Sequence, residues 1–397
     1  MRIVRVHNYY QQPGGEDQSY AAEIRLLQAY GHEVIPVTLH NDQIETMGRW
    51  QIATTTIWNQ TFYQKLQALV QRVQPAVVHF DNTFPLVSPA AYYAVRRAGV
   101  PVVQSLRNYR LLCANAYFLR DGRVCEDCLH QIMPWPAIAH ACYRESLLAS
   151  LGVAALQSSH RILGTWQHQV DCFVALTPFV RQKFIEGGLP AAKIAVKPNF
   201  LAHDPGYTPD HREHNPGYAL FVGRLSPEKG LVPLLEAWRS LGDRLPLRVV
   251  GTGPLADQLS RESEQYPHIH WLGSRSQAEV LELMRQARLL VMPSLWYETF
   301  GRVIIEAFAV GLPVLASRLG SMEQLIQHQR TGLLVQPGDP QDLVATVNWA
   351  LAHPAAMASM RRNARTEYEA LYTPERNYAL LMAIYAQAHA TFLASRA

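Results

Sequence analysis

Two separate series of short apolar runs, each alternating with amphipathic stretches, leave few folds open to this chain. The first passes through "RIVRVHNY", "AVVHF", "VPVVQSL", "CFVALT" and "KIAVKPN". The second passes through "YALFVGRL", "LRVVGTG", "IHWLG", "RLLVMPS" and "LPVLAS". Strands with no polar face must be covered on both sides, and strand–helix alternation supplies that cover around a parallel sheet. Each half is therefore expected to be an α/β, Rossmann-like doubly wound domain, and 397 residues exceed what one core usually supports. Between the series lies "AHDPGYTPDHREHNPGY", polar, rich in Pro, Gly and His, and without apolar periodicity, which marks a linker. Residues 1–200 then form the first domain, 201–216 the linker and 217–374 the second domain. The closing segment, 375–397, carries an apolar helical face and is expected to return to the first domain. Two such domains facing each other would place their ligand-binding loops around a central cleft.

The chain is 48% hydrophobic and 17% charged, without a low-complexity tract, as in soluble globular proteins. Its start, "MRIVRVHNYY", sets arginines in a strand-like run and has no apolar signal core. The longest apolar stretch, "SLLASLGVAALQSSH", falls short of the ~20 residues a membrane helix needs. A cytoplasmic protein, at most peripheral at the inner face of the membrane, is the expectation. Residues 1–200 hold 18 Lys and Arg against 13 Asp and Glu, and six arginines with no lysine lie between Arg96 and Arg123. Such a run can form a site for phosphates or carboxylates, or simply a solvated face. No long basic stripe or nucleic-acid module occurs, so nucleic acid is not an expected partner.

The chemistry concentrates in "PSLWYETFGRVIIEAFAVGLPVLAS". "RLLVMPS" ends as a strand at Pro293 and Ser294, Glu298 falls in the loop, and Thr299 stands where it can cap the next helix. "GRVIIEAFAVG" reads as a short apolar helix closed at Gly311, with Glu306 inside it. The amides of Phe300, Gly301, Arg302 and Val303 are then unpaired at a helix start, an arrangement that suits a phosphate. Glu298 and Glu306 would flank it as acceptors for sugar hydroxyls; the alternative is one surface glutamate and one paired with an arginine. "FVGRLSPEKG" repeats the strand-then-polar-loop form and offers Arg224 and Lys229, which could hold a diphosphate or be plain loop charges.

Taken together and in order, "GRLSPEKG", "VVGTGP", "HWLG" and "PSLWYETFGRVIIEAFAVGLPVLAS…TGLLVQPGD" resemble the family 4 retaining glycosyltransferases, which have the GT-B fold. The match covers 217–340 closely; "PGGED", "GHEV" and "KPNF" extend it towards the amino terminus. The stretch from "NTFPLVSPAAYYAVRRAGV" to "VCEDC" looks like a bacterial subgroup linked to surface-polysaccharide assembly. The resemblance implies that Arg224 and Lys229 hold the donor diphosphate and that the amides after Phe300 reach its distal phosphate. It implies that Glu298 lies beside the donor sugar and that Glu306 binds the ribose. Gly14 and Gly15 would lie against the phosphates, with the backbone near Leu272 reading the base. Gly223, Gly253 and Ser294 complete the implied donor contacts. A histidine usually stands in this family where Arg107 is, and Asp81 replaces another, so Arg107 enters the implied catalytic set as a hydrogen-bond donor rather than a base.

The activity so implied is transfer of a sugar from a UDP- or GDP-linked donor to a glycan or lipid-linked acceptor, with retention and without a catalytic metal. No Asp-x-Asp tripeptide occurs in the chain. Competing readings are a nucleotide-sugar epimerase, a non-catalytic nucleotide-sugar-binding subunit and, from "GTGPLA", a nicotinamide-dependent dehydrogenase. Arg107 and Arg110, three apart, are expected to point at one anionic acceptor. The cysteines leave three outcomes open. Cys113, Cys125, Cys128 and Cys142 could form a structural zinc site, stay buried as thiols, or form a disulfide.

Overall fold

The computed structural model describes residues 1–11, 14–207 and 217–396; Gln12, Pro13, most of the expected linker (208–216) and Ala397 lie outside the described residues. The strands run β1 (Arg2–Tyr9), β2 (Glu33–His40), β3 (Val77–Phe80), β4 (Val102–Leu106), then a short antiparallel hairpin of β5 (Leu119–Arg120) and β6 (Arg123–Val124). There follow β7 (Cys172–Ala175), β8 (Ile194–Val196), β9 (Ala219–Val222), β10 (Leu247–Val250), β11 (Ile269–Trp271), β12 (Leu289–Met292), β13 (Val314–Ser317) and β14 (Gly332–Val335).

One compact unit comprises Met1–Phe118, Glu126–Ala202 and Pro374–Ala397; the other comprises Leu119–Cys125 and His203–Thr373. The hairpin therefore groups with the second unit, although it lies inside 1–200. Two-residue strands carry no periodicity from which that could be read. Each unit has a six-stranded parallel sheet, in the order β2-β1-β3-β4-β7-β8 in the first and β11-β10-β9-β12-β13-β14 in the second. Both are doubly wound, with the strand order reversing beside β1 and beside β9.

In the second unit, alternate residues Phe221, Val249, Val291 and Leu333 meet the fully buried Trp238 and Leu235 of the helix Leu231–Leu241. The indole of Trp238 donates to the Leu245 carbonyl, so its polar atom is satisfied inside the core.

The first unit departs from a uniformly apolar sheet. Period-two alternation puts Ile3, Arg5 and His7 on one face of β1, and the strand register aligns them with Val77 and His79 of β3. Val103 and Ser105 of β4 continue that face, as do Cys172 and Val174 of β7. Its amino-terminal half is apolar, covered by Leu27 and by Leu381, Ile384 and Ala388 of the helix Pro374–Ala394. Its carboxyl half is ionic. One helical turn before Leu27, Glu23 accepts from Arg5 at 2.9 Å, Arg107 at 3.1 Å and Lys197 at 2.8 Å. Asp81 accepts from Arg5 at 2.5 Å and from Arg107 at 2.9 Å. Burial alone would raise both carboxyl pKa values, but the surrounding cations outweigh it and hold both well below the usual range. Three buried cations face two carboxylates here, and removing one member of such a set typically costs ~3–5 kcal/mol.

His79 sits in this layer between Tyr385 OH at 3.0 Å and Ser105 Oγ at 2.9 Å. Burial, reinforced by Arg5, lowers its pKa to about 3. Below pH ~6.5 the unfolded chain therefore takes up a proton that folded His79 refuses, so its contribution to stability falls as pH falls. Between pH 7 and pH 5 this amounts to about 2 kcal/mol. Denaturant unfolding of the protein and of His79→Gln should show their stability gap closing by that amount on acidification. Parallel curves would mean that folded His79 titrates normally.

Candidate active site

At the carboxyl ends of β9 and β12, beside the reversal of strand order, two loops are tied together. The loop after β9 holds Gly223, Arg224 and Leu225, then Ser226 to Lys229. Its first residues are stitched to the end of β10 by Gly223 N to the Val250 carbonyl at 3.0 Å and to the loop after it by Leu225 N to the Thr252 carbonyl at 2.9 Å, next to Gly253. Leu272, just past β11, donates to the Val249 carbonyl at 2.9 Å. Opposite, Leu295 N donates to the Glu228 carbonyl at 2.8 Å. Gly230 stands at the crossing with φ +71°, and a Cβ there would overlap the Pro293 carbonyl. Only glycine meets both demands.

The crossing brings three donors to one oxygen. Glu298 Oε1 accepts from Lys229 Nζ at 2.6 Å, Ser294 Oγ at 2.8 Å and Trp296 Nε1 at 3.0 Å. Glu298 is buried at 5% exposure, whereas the Lys229 side chain keeps 23% and its ammonium lies 5.3 Å from the centre of the Trp296 ring. Arg224 is exposed, and its side chain makes no ion pair or hydrogen bond to the described residues. Of the two loop cations, one is thus held by a carboxylate and one is open to an anion.

The helix Arg302–Ala309 begins immediately after this loop. Gly301, with φ +76°, occupies its cap position and gives no side-chain cap. Thr299 does not cap the helix; its carbonyl accepts from Ser321 Oγ instead. The amides of Phe300, Gly301, Arg302 and Val303 make no hydrogen bond to the described residues. Glu306 is one turn on. Its carboxyl is pushed up by burial, against the pull of Arg302, and Gln277 donates to it at 3.3 Å. Arg302 Nε lies 3.6 Å from Glu306, an ion pair rather than a hydrogen bond, and Nε and Nη1 are buried without an acceptor. Unpaired helix-start amides and under-satisfied guanidinium nitrogens are groups whose chemistry suits an anion.

In the first unit, Gly14 caps the helix Gly15–Ala29, its amide donating to Asp17 at 3.0 Å, and nothing stands within 4 Å of a Cβ built on Gly14 or Gly15. Arg107 is buried, its guanidinium taken by Asp81, Glu23 and, at 3.1 Å, Asn199. Arg110 instead donates to the Ala114 carbonyl and lies over the rings of Phe84 and Tyr143. The structure does not turn the two arginines to one ligand, because Arg107 is consumed by the ionic layer.

Cys113, Cys125, Cys128 and Cys142 are thiols rather than halves of a disulfide. Among the described residues no group of three or more His, Cys, Asp or Glu side chains is arranged as a ready metal site. Cys113 donates to Asn115 at 3.0 Å, and Cys128 and Cys142 join a small apolar cluster with Ala114, Ala137 and Val153. Several partners were not singled out from the sequence: Trp296 on Glu298, Gln277 on Glu306, and Glu23, Asn199 and Lys197 around Arg107. A tryptophan two residues before a buried glutamate is the only local signal among them.

Residues 14–199 match the glycosyl transferase 4-like domain, and residues 209–367 match glycosyl transferases group 1. The sulfoquinovosyl transferase SQD2 of Arabidopsis thaliana is 25% identical over 366 residues, 87% of this chain and 65% of that protein. The D-inositol 3-phosphate glycosyltransferase of Gordonia bronchialis is 30% identical over 263 residues, 58% of this chain and 57% of that one. The chain thus spans less than two thirds of the length of these relatives. Among solved structures, the sucrose-phosphate synthase of Thermosynechococcus elongatus superimposes with a TM-score of 0.71 at 18% identity, over 98% of this chain and 100% of that one. Anabaena Alr3699/HepE in complex with UDP-glucose gives 0.66 at 18% identity, over 97% and 99%. These likenesses establish the expected GT-B fold.

Replacing Gly230 by alanine should push the two loops apart. A loss of ~1–3 kcal/mol in denaturant unfolding is expected. Unchanged stability would show that the crossing tolerates a side chain.

Proposed function

We propose that this chain, a member of the glycosyl transferases group 1 family that also carries a glycosyl transferase 4-like domain, moves a hexosyl group from a nucleoside-diphosphate sugar to a saccharide acceptor. The observation that carries this reading is the convergence of Lys229, Ser294 and Trp296 on Glu298 Oε1, next to the open amides of residues 300–303. A diphosphate entering there would draw Lys229 from Glu298 and be met by Arg224 and the helix amides. The charge it develops on leaving is then stabilised by groups already in place. Glu298, relieved of one donor, becomes an acceptor for a donor-sugar hydroxyl, and Glu306 for a ribose hydroxyl.

The resemblance to retaining enzymes favours same-face displacement. The bond from the anomeric carbon to the phosphate oxygen breaks with its electron pair going to the diphosphate. The acceptor oxygen bonds to that carbon, and the leaving phosphate takes the acceptor proton. Lys229, Arg224 and the amides supply charge stabilisation that a divalent ion supplies elsewhere, so transfer is proposed to proceed without one. A role in polysaccharide assembly on a glycan or lipid-linked acceptor, with the protein peripheral to the membrane, is the accompanying proposal. No helix among the described residues is long and apolar enough to cross a membrane. Leu147, Leu148 and Trp135 are exposed on the first unit and would suit such an association.

UDP and UDP-glucose, the ligands carried by a structural neighbour, are the first donors to try beside their GDP counterparts. A donor at a hundred times its dissociation constant should stabilise the fold by ~2.7 kcal/mol in thermal unfolding. Lys229→Gln keeps a neutral donor for Glu298 and removes the charge, so kcat/KM should fall by ~100-fold or more with the melting temperature preserved. Absence of any nucleotide shift, or full activity in Lys229→Gln, would overturn this reading of the site.

A further inference from the structure

On the first unit a groove of about 600 Å³ lies beside the helices Gln60–Val73 and Ala90–Arg97. One wall is aromatic. The rings of Trp58 and Tyr63 are stacked with centroids 6.1 Å apart, and Tyr93 lies 5.2 Å from Trp58. Trp58 donates its indole N–H to Gln60 at 3.0 Å, and Tyr93 OH pairs with Thr165 at 2.8 Å, so two of the rings are anchored at their polar edges. Trp58 nevertheless stays 37% exposed.

The other wall is cationic. Arg96 donates to Asp171 at 2.6 Å and to Ser395 at 2.9 Å, and it lies over the Phe392 ring. Asp171 also accepts from the Val102 amide at 2.8 Å and feels the charge of Lys193. That carboxylate is thus shared between two cations. The side chain of Arg97, exposed beside it, has no hydrogen bond or ion pair to the described residues. Val102 opens β4 and Arg107 follows its end, so five strand residues, roughly 15 Å, separate this groove from the ionic layer at the carboxyl edge. The groove is therefore separate from the ionic layer that holds Arg107.

We propose that this groove binds a segment of acidic glycan, a saccharide chain bearing carboxylates. The identification of a sugar as occupant rests on the transferase reading above. A pyranose offers a C–H face, a hydroxyl rim and, in an acidic residue, a planar carboxylate. The exposed Trp58 ring, with the half-buried rings of Tyr63 and Tyr93, matches the first. The amides of Gln60 and Gln169, both lining the groove, match the second. The unengaged guanidinium of Arg97 matches the third. The groove would hold a stretch of growing chain on the first unit, so that product or acceptor stays near the enzyme between additions.

Isothermal titration of the full-length protein with alginate tetrasaccharide, all of whose units are uronic acids, tests this against neutral maltotetraose. The acidic oligosaccharide should bind with a dissociation constant of about 1 mM or tighter and the neutral one at least tenfold more weakly. Arg97→Gln, at an exposed residue without partners, should weaken the acidic ligand by about tenfold, and Trp58→Ala, checked for folding by its melting curve, should do likewise. No saturable heat with the acidic ligand, equal binding of the neutral one, or affinity unchanged in Arg97→Gln would overturn the proposal. The UDP-induced thermal shift of the same samples separates the two ideas. A lost shift with retained oligosaccharide binding counts against the transferase reading, and a retained shift without oligosaccharide binding counts against the groove.

Discussion

A single carboxylate oxygen organises the second unit's candidate site. Glu298 Oε1 accepts from an ammonium, a hydroxyl and an indole, and those donors come from two loops that meet only because position 230 lacks a side chain. A buried carboxylate with one charged and two neutral donors is satisfied, yet its charged partner is partly open to solvent. That asymmetry makes Lys229 the member an anion can capture. The unpaired amides before the helix Arg302–Ala309 and the buried nitrogens of Arg302 extend the same demand for negative charge.

The first unit pairs its buried cations Arg5, Arg107 and Lys197 with its own carboxylates. One sheet face passes from apolar to ionic along its length, and the helix Gly15–Ala29 follows the change with Leu27 over one half and Glu23 over the other. Arg107, which the family resemblance would send to the ligand, is part of that layer. The substitution of arginine for histidine is accompanied by Asp81, whose carboxylate accepts from it. The two departures from the family pattern are thus one interaction.

Most of the secondary structure was legible because parallel strands must be apolar on both faces, and those runs stand out in a chain of ordinary composition. The helix that opens within "PGGED" and the strands from "YALFVGRL" to "LPVLAS" occur where the pattern puts them. The candidate donor residues were legible for another reason: they follow strands in two short, contiguous loops. What escaped was long-range. Glu23, Asp81, Asn199 and Lys197 reach Arg107 or one another only after the sheet forms, so nothing adjacent in sequence announces that Arg107 is buried. Nor does Cys-x-x-Cys spacing announce that Cys128 and Cys142 share an apolar cluster while Cys113 donates to Asn115. Thr299 lost its capping role because Gly301 adopts a left-handed conformation and starts the helix two residues later.

The central claim is that a donor diphosphate takes Lys229 from Glu298. Glu298→Gln tests it most directly, because the amide keeps a polar group for Ser294 and Trp296 while releasing the ammonium. Affinity for UDP, measured by calorimetry, should then rise by about tenfold even as turnover of the UDP-sugar falls, since an ion pair no longer has to be broken on binding. UDP affinity that is unchanged or weaker in Glu298→Gln would contradict the account.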